Sequence, residues 1–216
     1  QAQFQIRRYS VDKGLFITIE GGEGVGKSTN IAFIQEALAS KGIESIITRE
    51  PGGTHLAEEI REVLIKNREE TVASETELLL MFAARAQHLH QKILPALEKG
   101  VWVISDRFTD ATYAYQSGGR GVPSEKVALL ENFVQGDVRP DLTLLLDAPI
   151  EVGMARAKNR GALDRFEEEQ AEFFNNVRDN YLARAEAEPK RFKIVDATQS
   201  LEEVQSSISV VLENIL

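Results

Sequence analysis

The sequence predicts a doubly wound α/β fold, a five-stranded parallel sheet flanked by helices. Three features predict it. Short apolar runs alternate with longer helical patterns through residues 14–216. Most of these runs are nearly continuous, as in strands buried on both faces of a parallel sheet. A glycine-rich stretch separates the first run from the first helix, where such folds bind ligands outside the carboxyl ends of the strands.

The strands are expected at 15–20, 43–48, 101–105, 142–146 and 192–195, of which only 43–48 is mixed in character. A helix over 28–40 ends on Lys41 and Gly42, a basic last turn followed by a terminating glycine. Ser74 and Glu77 have capping-box spacing ahead of Leu78, Leu79, Met81 and Phe82. That helix should run to about Glu98 and stop at Gly100, kinked by Pro95. Pro149 suits the first turn of a helix after the fourth strand. Ser200 with Glu203 forms a second capping box and opens the last helix. No repeat or linker interrupts 14–216, which reads as a single domain. Residues 1–13 are polar and aperiodic, and read as an N-terminal extension or tag remnant.

Composition narrows the function. A chain of 216 residues buries roughly 70% of its unfolded surface and needs no staples. Hydrophobic residues at 43% and charged residues at 27% argue against wholesale disorder. A net charge of −9 makes a broad nucleic-acid-binding face a poor expectation, so bound phosphate needs a local basic pocket. The absence of cysteine excludes disulfides, thiolate metal sites and cysteine nucleophiles. No stretch approaches 18 apolar residues, so no membrane span is expected, and the N-terminus lacks an apolar signal core, which points to a cytoplasmic address.

Gly21, Gly22, Glu23, Gly24, Val25, Gly26, Lys27 and Ser28, followed by Thr29, match G-x-x-x-x-G-K-[ST] between a predicted strand and a predicted helix. Glycines let backbone N–H groups converge on one point at the positive end of a helix, forming a phosphate nest. Lys27 would bridge the β- and γ-phosphates of a nucleoside triphosphate, and the Ser28 hydroxyl would hold Mg²⁺. The cradle leaves the acceptor open: water in a switch or motor, or a second small molecule in a kinase.

Other residues address the acceptor. Asp106, Arg107 and Phe108 follow the third strand at the same carboxyl edge. A carboxylate there binds Mg²⁺ directly or through water, and Arg107 grips a phosphate bidentately; a surface ion pair at a helix start has the same pattern. The stretch 49–54, with Pro51 between Glu50 and two glycines, makes a close-approach loop or an ordinary turn. Met81, Phe82 and Arg85 share a helical face, as a base-holding plane with a guanidinium or as a core stripe with one solvated arginine. Thr112, Tyr113, Tyr115 and Gln116 have helical spacing; Gln116 suits a base edge and Tyr115 a sugar wall, while a half-buried aromatic helix is the alternative. Arg156, Lys158, Arg160 and Arg165 make one dense basic segment, a closing lid or a solvated face paired with Glu167, Glu168 and Glu169. His88 and His90 diverge on a helix and His55 stands alone in a loop, so no metal site follows from histidines.

Together these pieces resemble the thymidylate kinase (dTMP kinase) family, in the bacterial branch of the P-loop nucleoside monophosphate kinases. The matching segments are EGGEGVGKST, TREPGGT, LLLMFAARAQHL, DRFTDATYAYQ, RPDLTLLLD and RAKNRGALDRFE, in that order. The resemblance implies transfer of the γ-phosphoryl of ATP to dTMP, giving ADP and dTDP, with Mg²⁺. It implies a sheet ordered 2-3-1-4-5, a homodimer and a lid at about 154–166 carrying the catalytic arginines Arg156, Arg160 and Arg165. Glu23 matches a position near the acceptor's sugar and phosphate, Asp106 the metal-side carboxylate, Arg107 the acceptor-phosphate ligand and Arg61 another arginine of the nucleotide site. Arg85, Thr112 and Gln116 match thymine contacts, Pro51 a contact beneath the base, and Tyr115 the residue disfavouring a ribose 2′-hydroxyl. Family members place an aromatic four residues before the base-reading arginine; here that residue is Met81, with Phe82 one later, and either can pack on the base. A kinase for another nucleoside monophosphate is the neighbouring reading, and a P-loop ATPase or switch the reading from a different class.

Overall fold

The computed structural model describes residues 13–158 and 165–216. Arg160 and nearly all of the 1–13 extension lie outside the described residues.

Five parallel strands form one sheet: β1 (Phe16–Glu20), β2 (Ser45–Arg49), β3 (Trp102–Asp106), β4 (Leu142–Asp147) and β5 (Phe192–Asp196). Their order is β2-β3-β1-β4-β5, as the resemblance implies. Every residue of β1 and the first five of β4 are buried, which accounts for their continuous apolar runs. β5 departs from that expectation. It is an edge strand with a half-exposed pattern, and Ile194 is largely open to solvent.

Helices cover both faces. α1 (Lys27–Ser40) and α9 (Leu201–Glu213) bury Ile34, Leu38, Val204 and Ile208 against Ile17, Ile19, Leu144 and Leu146. Alternate residues of the same strands face the other layer. There Leu145 and Phe192 meet Val177, Tyr181 and Ala185 of α8 (Ala171–Ala187), and Phe16 and Val103 meet Leu89, Ile93 and Leu97. α2 (His55–Ile65), α3 (Ser74–His88) and α6 (Ser124–Gln135) complete that side.

The helix ends bear on the site. After α1, Gly42 takes φ 75°, its N–H donates to Ala39 O and that of Ile43 to Leu38 O, the glycine stop the sequence promised. Pro95 has no N–H to offer the turn before it. The chain answers with a π-helical turn over Leu89–Ile93, in which Leu94 N–H reaches Leu89 O, before α4 (Leu94–Glu98). The Ser200–Glu203 capping box forms in full. The box expected at Ser74 and Glu77 does not: Ala73 is the N-cap with no side-chain cap, and Glu77 is buried against residues distant in sequence. α5 (Thr109–Thr112) continues as a π-helical segment, Tyr113–Gly119, and α7 (Ile150–Lys158) follows Pro149. Among the described residues no helix is long and apolar enough to cross a membrane.

Candidate active site

The parallel register brings the strand ends to one edge. Asp106 pairs with Arg49 across β2–β3 and with Ile19 across β3–β1. A cavity of about 520 Å³ opens above this edge.

At one end lies the cradle. α1 starts at Lys27 with Gly26 as N-cap and no side-chain cap, which leaves its first N–H groups open to an anion. Gly24 has φ 68°, and a Cβ there would sit 1.9 Å from Gly153 O, so the loop requires glycine. The Lys27 ammonium folds over the loop to Gly22 O at 2.8 Å and Gly21 O at 3.3 Å. Burial lowers its pKa and Arg107 adds to that, while Glu23 and Asp106 pull it back. Ser28 and Thr29 line the cavity beside it; Gly21 and Gly22 form the loop's far wall.

Arg107 occupies the middle. It is the only non-glycine residue with positive φ among the described residues, at 68°. Hydrogen bonds hold that strained backbone: its N–H donates to Ile19 O at 3.0 Å, Ser105 Oγ donates to its carbonyl at 2.7 Å, and the next N–H, of Phe108, donates to Glu20 Oε1 at 2.8 Å. The guanidinium reaches Glu23 Oε1 at 2.5 Å and Tyr115 Oη at 2.7 Å, and Tyr115 donates in turn to Glu23 at 2.7 Å. Burial by itself would raise the Glu23 carboxyl, but Arg107 and Lys27 outweigh it and push the pKa down to about 2. Asp106 Oδ1 is buried without a protein partner. An orphaned carboxylate oxygen at the cradle, with the Ser28 hydroxyl in the same cavity, is the donor set Mg²⁺ accepts when phosphates and water supply its other ligands.

At the far end, Arg85 is buried at 2% exposure. Its Nε donates to Glu50 Oε2 at 2.7 Å and its Nη2 to Thr112 Oγ1 at 2.8 Å, while Nη1 is buried with no partner. His88 Nδ1 bonds Glu50 Oε1 at 2.9 Å and its Nε2 lies 2.6 Å from Thr48 Oγ1. Burial would raise Glu50, but Arg85 and His88 hold its carboxyl below the usual range. Arg61 Nη1 donates to Pro51 O at 3.1 Å, fixing the loop beneath this pocket.

Most of the expected site residues meet in this cavity: Glu23, Gly24, Val25, Gly26, Lys27, Ser28, Thr29, Pro51, Arg61, Met81, Arg85, Asp106, Arg107, Thr112, Tyr115, Gln116 and Arg156. Two do not. Phe82 turns inward to Leu78, Tyr113, Val122 and Val127, beneath the Arg85 guanidinium at 4.7 Å, so Met81 is the residue that faces the cavity. Arg165 is bound to Glu77 Oε2 at 2.7 Å and Leu64 O at 2.9 Å rather than facing the cradle. Arg156 lines the cavity and donates to Ala197 O at 2.9 Å. Sequence reasoning missed Glu50, Glu77 and His88. His88 lies on α3 one turn past Arg85, and that spacing was the available signal.

A family model described as thymidylate kinase matches residues 19–208. The chain belongs to the thymidylate kinase family. A thymidylate kinase of Pseudomonas fluorescens is 60% identical over 203 residues, covering 94% of this chain and 97% of the relative. One from Hahella chejuensis is 60% identical over 197 residues, covering 91% and 95%. The crystal structure of thymidylate kinase from Ehrlichia chaffeensis superposes with a TM-score of 0.76 at 32% identity, covering 93% of this chain and 99% of that one. Family membership makes the chain an enzyme of the nucleoside monophosphate kinase class, and the shared fold extends over nearly its whole length.

Proposed function

We propose that the chain transfers the γ-phosphoryl group of ATP to dTMP, producing ADP and dTDP. The observation that carries this reading is one cavity with an anion cradle at Lys27 and Ser28, a guanidinium at Arg107, and a buried unpaired donor, Arg85 Nη1. A donor left orphaned in a buried site suits a base carbonyl, here O4 of thymine. Thr112 and Gln116 complete the base pocket, Met81 packs under the base and Pro51 closes it from the loop side. Tyr115, tied to Glu23 and Arg107, walls the sugar where a 2′-hydroxyl would sit.

The acceptor phosphate is already an anion, so the chemistry needs positioning and charge neutralisation more than a base. Lys27 holds the donor phosphates and Arg107 the acceptor phosphate, aligned for in-line attack. Glu23 neutralises Arg107 until the dTMP phosphate takes its place. Arg156 compensates charge on the transferring group, and the family resemblance assigns Arg160 the same task; Arg165 serves that role only after leaving Glu77. Ser28 and Asp106 would hold Mg²⁺, which would supply charge neutralisation for the phosphates.

The partners are small molecules, dTMP and ATP, and a second copy of the chain. The exposed apolar side chains Leu79 of α3 and Leu129 and Phe133 of α6, the last 85% exposed, support a homodimer through that face. The dependence on ATP and Mg²⁺ supports a cytoplasmic address.

An ADP-release assay with ATP and Mg²⁺ tests the reaction, scanning dTMP, dUMP, dCMP, dGMP, dAMP and UMP with a no-acceptor control. Strong preference for dTMP is expected. Preference for another monophosphate removes the assignment of Arg85 and Gln116, and ADP release without acceptor moves the enzyme to the ATPase class.

A further inference from the structure

Glu77 is a carboxylate that the phosphoryl transfer does not use. It lies on α3 at 1% exposure, under the base end of the cavity. Three donors converge on it: Gln116 Nε2 at 2.9 Å, Arg120 Nε at 3.2 Å and Arg165 Nη2 at 2.7 Å. Salt-bridged to two guanidinium groups, the carboxylate offers acceptors only. Gln116 is itself 1% exposed and lines the cavity. An amide has one donor end and one acceptor end. With its NH₂ committed to Glu77, Gln116 turns Oε1 away from the carboxylate, leaving an acceptor for the ligand.

We propose that Glu77 fixes the amide of Gln116 with its oxygen toward the base, and so makes the pocket select a pyrimidine that donates at N3. The proposal rests on the reading of this cavity as the nucleoside monophosphate pocket, and names the residue behind its base choice. Arg85 Nη1 supplies a donor and Gln116 Oε1 an acceptor. Thymine and uracil present the complement, a carbonyl at C4 and an N–H at N3. Cytosine presents the reverse, an amino group at C4 and a lone pair at N3. Against cytosine both protein groups stay buried and unpaired, which is how a polar pocket rejects an analogue. Glu77 touches neither substrate, so it is a positioning residue. The same carboxylate carries Arg165 from the lid end and Arg120 beside it, which anchors it from several directions.

The test is Glu77→Gln, read as the ratio of kcat/KM for dUMP to that for dCMP. These two acceptors differ only at the edge in question. The variant side chain donates as well as accepts, so the Gln116 amide is freed to turn over. The ratio is expected to fall by about tenfold, the worth of one buried hydrogen bond, with KM for ATP within about twofold of wild type. A merely structural role lowers the active fraction, which leaves the ratio unmoved. Gln116→Leu is measured beside it and is expected to lower kcat/KM for dTMP by about tenfold or more. If Gln116→Leu does so and the ratio is unchanged in Glu77→Gln, the inference about Glu77 is overturned and the pocket assignment stands. If Gln116→Leu leaves dTMP turnover intact, the pocket assignment fails and the inference with it. Should Glu77→Gln not fold, the wild-type enzyme decides with the N1-linked deoxynucleotide of isocytosine, which keeps the C4 carbonyl but has a lone pair at N3. Turnover about tenfold below dUMP is expected, and turnover equal to dUMP overturns the proposal.

Discussion

Lys27 and Arg107 share one patch of field, and the proposed reaction gives them different substrates, which separates their variants. Lys27 bonds the cradle carbonyls, where the proposed reaction puts the donor phosphates. Lys27→Ala is expected to lower kcat by about two to three orders of magnitude, with dTMP affinity changed by less than about threefold. Turnover near wild type in a steady-state assay would remove Lys27 from the reaction. Arg107 is held by Glu23 and Tyr115 across from the cradle, where the proposed reaction puts the acceptor phosphate. Losing a charge-assisted contact of this kind weakens binding by about 2 kcal/mol, so Arg107→Ala is expected to raise the dTMP KM roughly 30-fold. An unchanged KM would contradict the assignment. Both residues were legible in the sequence because their chemistry is local: the cradle is one contiguous motif, and Asp106 and Arg107 end a strand. Met81 and Phe82 were not separable, because a helical face is a continuous angle and only packing against Tyr113 and Val127 decides which side chain goes inward.

Two helix starts carry the same four-residue pattern and fold differently. Ser200 accepts from Glu203 N–H, and Glu203 returns to the Ser200 N–H at 3.0 Å. At α3 the N-cap position falls on Ala73, and Glu77 is drawn into the core by Gln116, Arg120 and Arg165. Ser200→Ala should therefore cost about 1 kcal/mol of stability and Ser74→Ala less than about 0.5 kcal/mol. Denaturant titration of both variants checks this, and equal losses would restore a functional cap at Ser74. The contrast also shows where the sequence was unreadable. A capping box is a local rule, and it yields when a long-range partner set offers the same carboxylate more. Glu50 and His88 were hidden for a related reason. The 49–54 loop and the helix of Arg85 both stood out, but these two side chains acquire meaning only when β2, α3 and the loop close on one another around Arg85. The strands and their parallel direction were recoverable from short continuous apolar runs and a strand–cradle–helix unit, while their order came from the family resemblance alone. β5 was misjudged as buried since edge position depends on strand order, which periodicity does not encode.

The assembled molecule adds two properties that no single element has. The first is the apolar face of α3 and α6. Phe133 stands 85% exposed, and a charge placed there should disrupt any surface that pairs with it. Phe133→Asp is expected to convert a dimer to a monomer in analytical ultracentrifugation at micromolar concentration; wild-type protein sedimenting as a monomer throughout would remove the homodimer. The second property is a buried acid at the junction of the sheet with both sides of the site. Glu20 ends β1, accepts from Phe108 N–H at 2.8 Å behind the strained Arg107, and accepts from Tyr181 of α8 at 2.7 Å. Burial first, then repulsion from Asp110, push its carboxyl up from 4.5 to about 8, against the pull of Tyr181, Phe108 and Arg107. Between those values the folded protein keeps a proton that the unfolded chain has released. Its stability contribution is therefore lost progressively as pH rises through that window and levels off above it. Glu20→Gln retains an acceptor for the Phe108 N–H and abolishes the titration. Relative to wild type, the Tm of Glu20→Gln should climb from about pH 5 to about pH 8.5 and then run parallel. Parallel curves across the whole range would mean that Glu20 is ionised in the folded protein. The Phe108 N–H, and with it the backbone after Arg107, would then be anchored by a full negative charge.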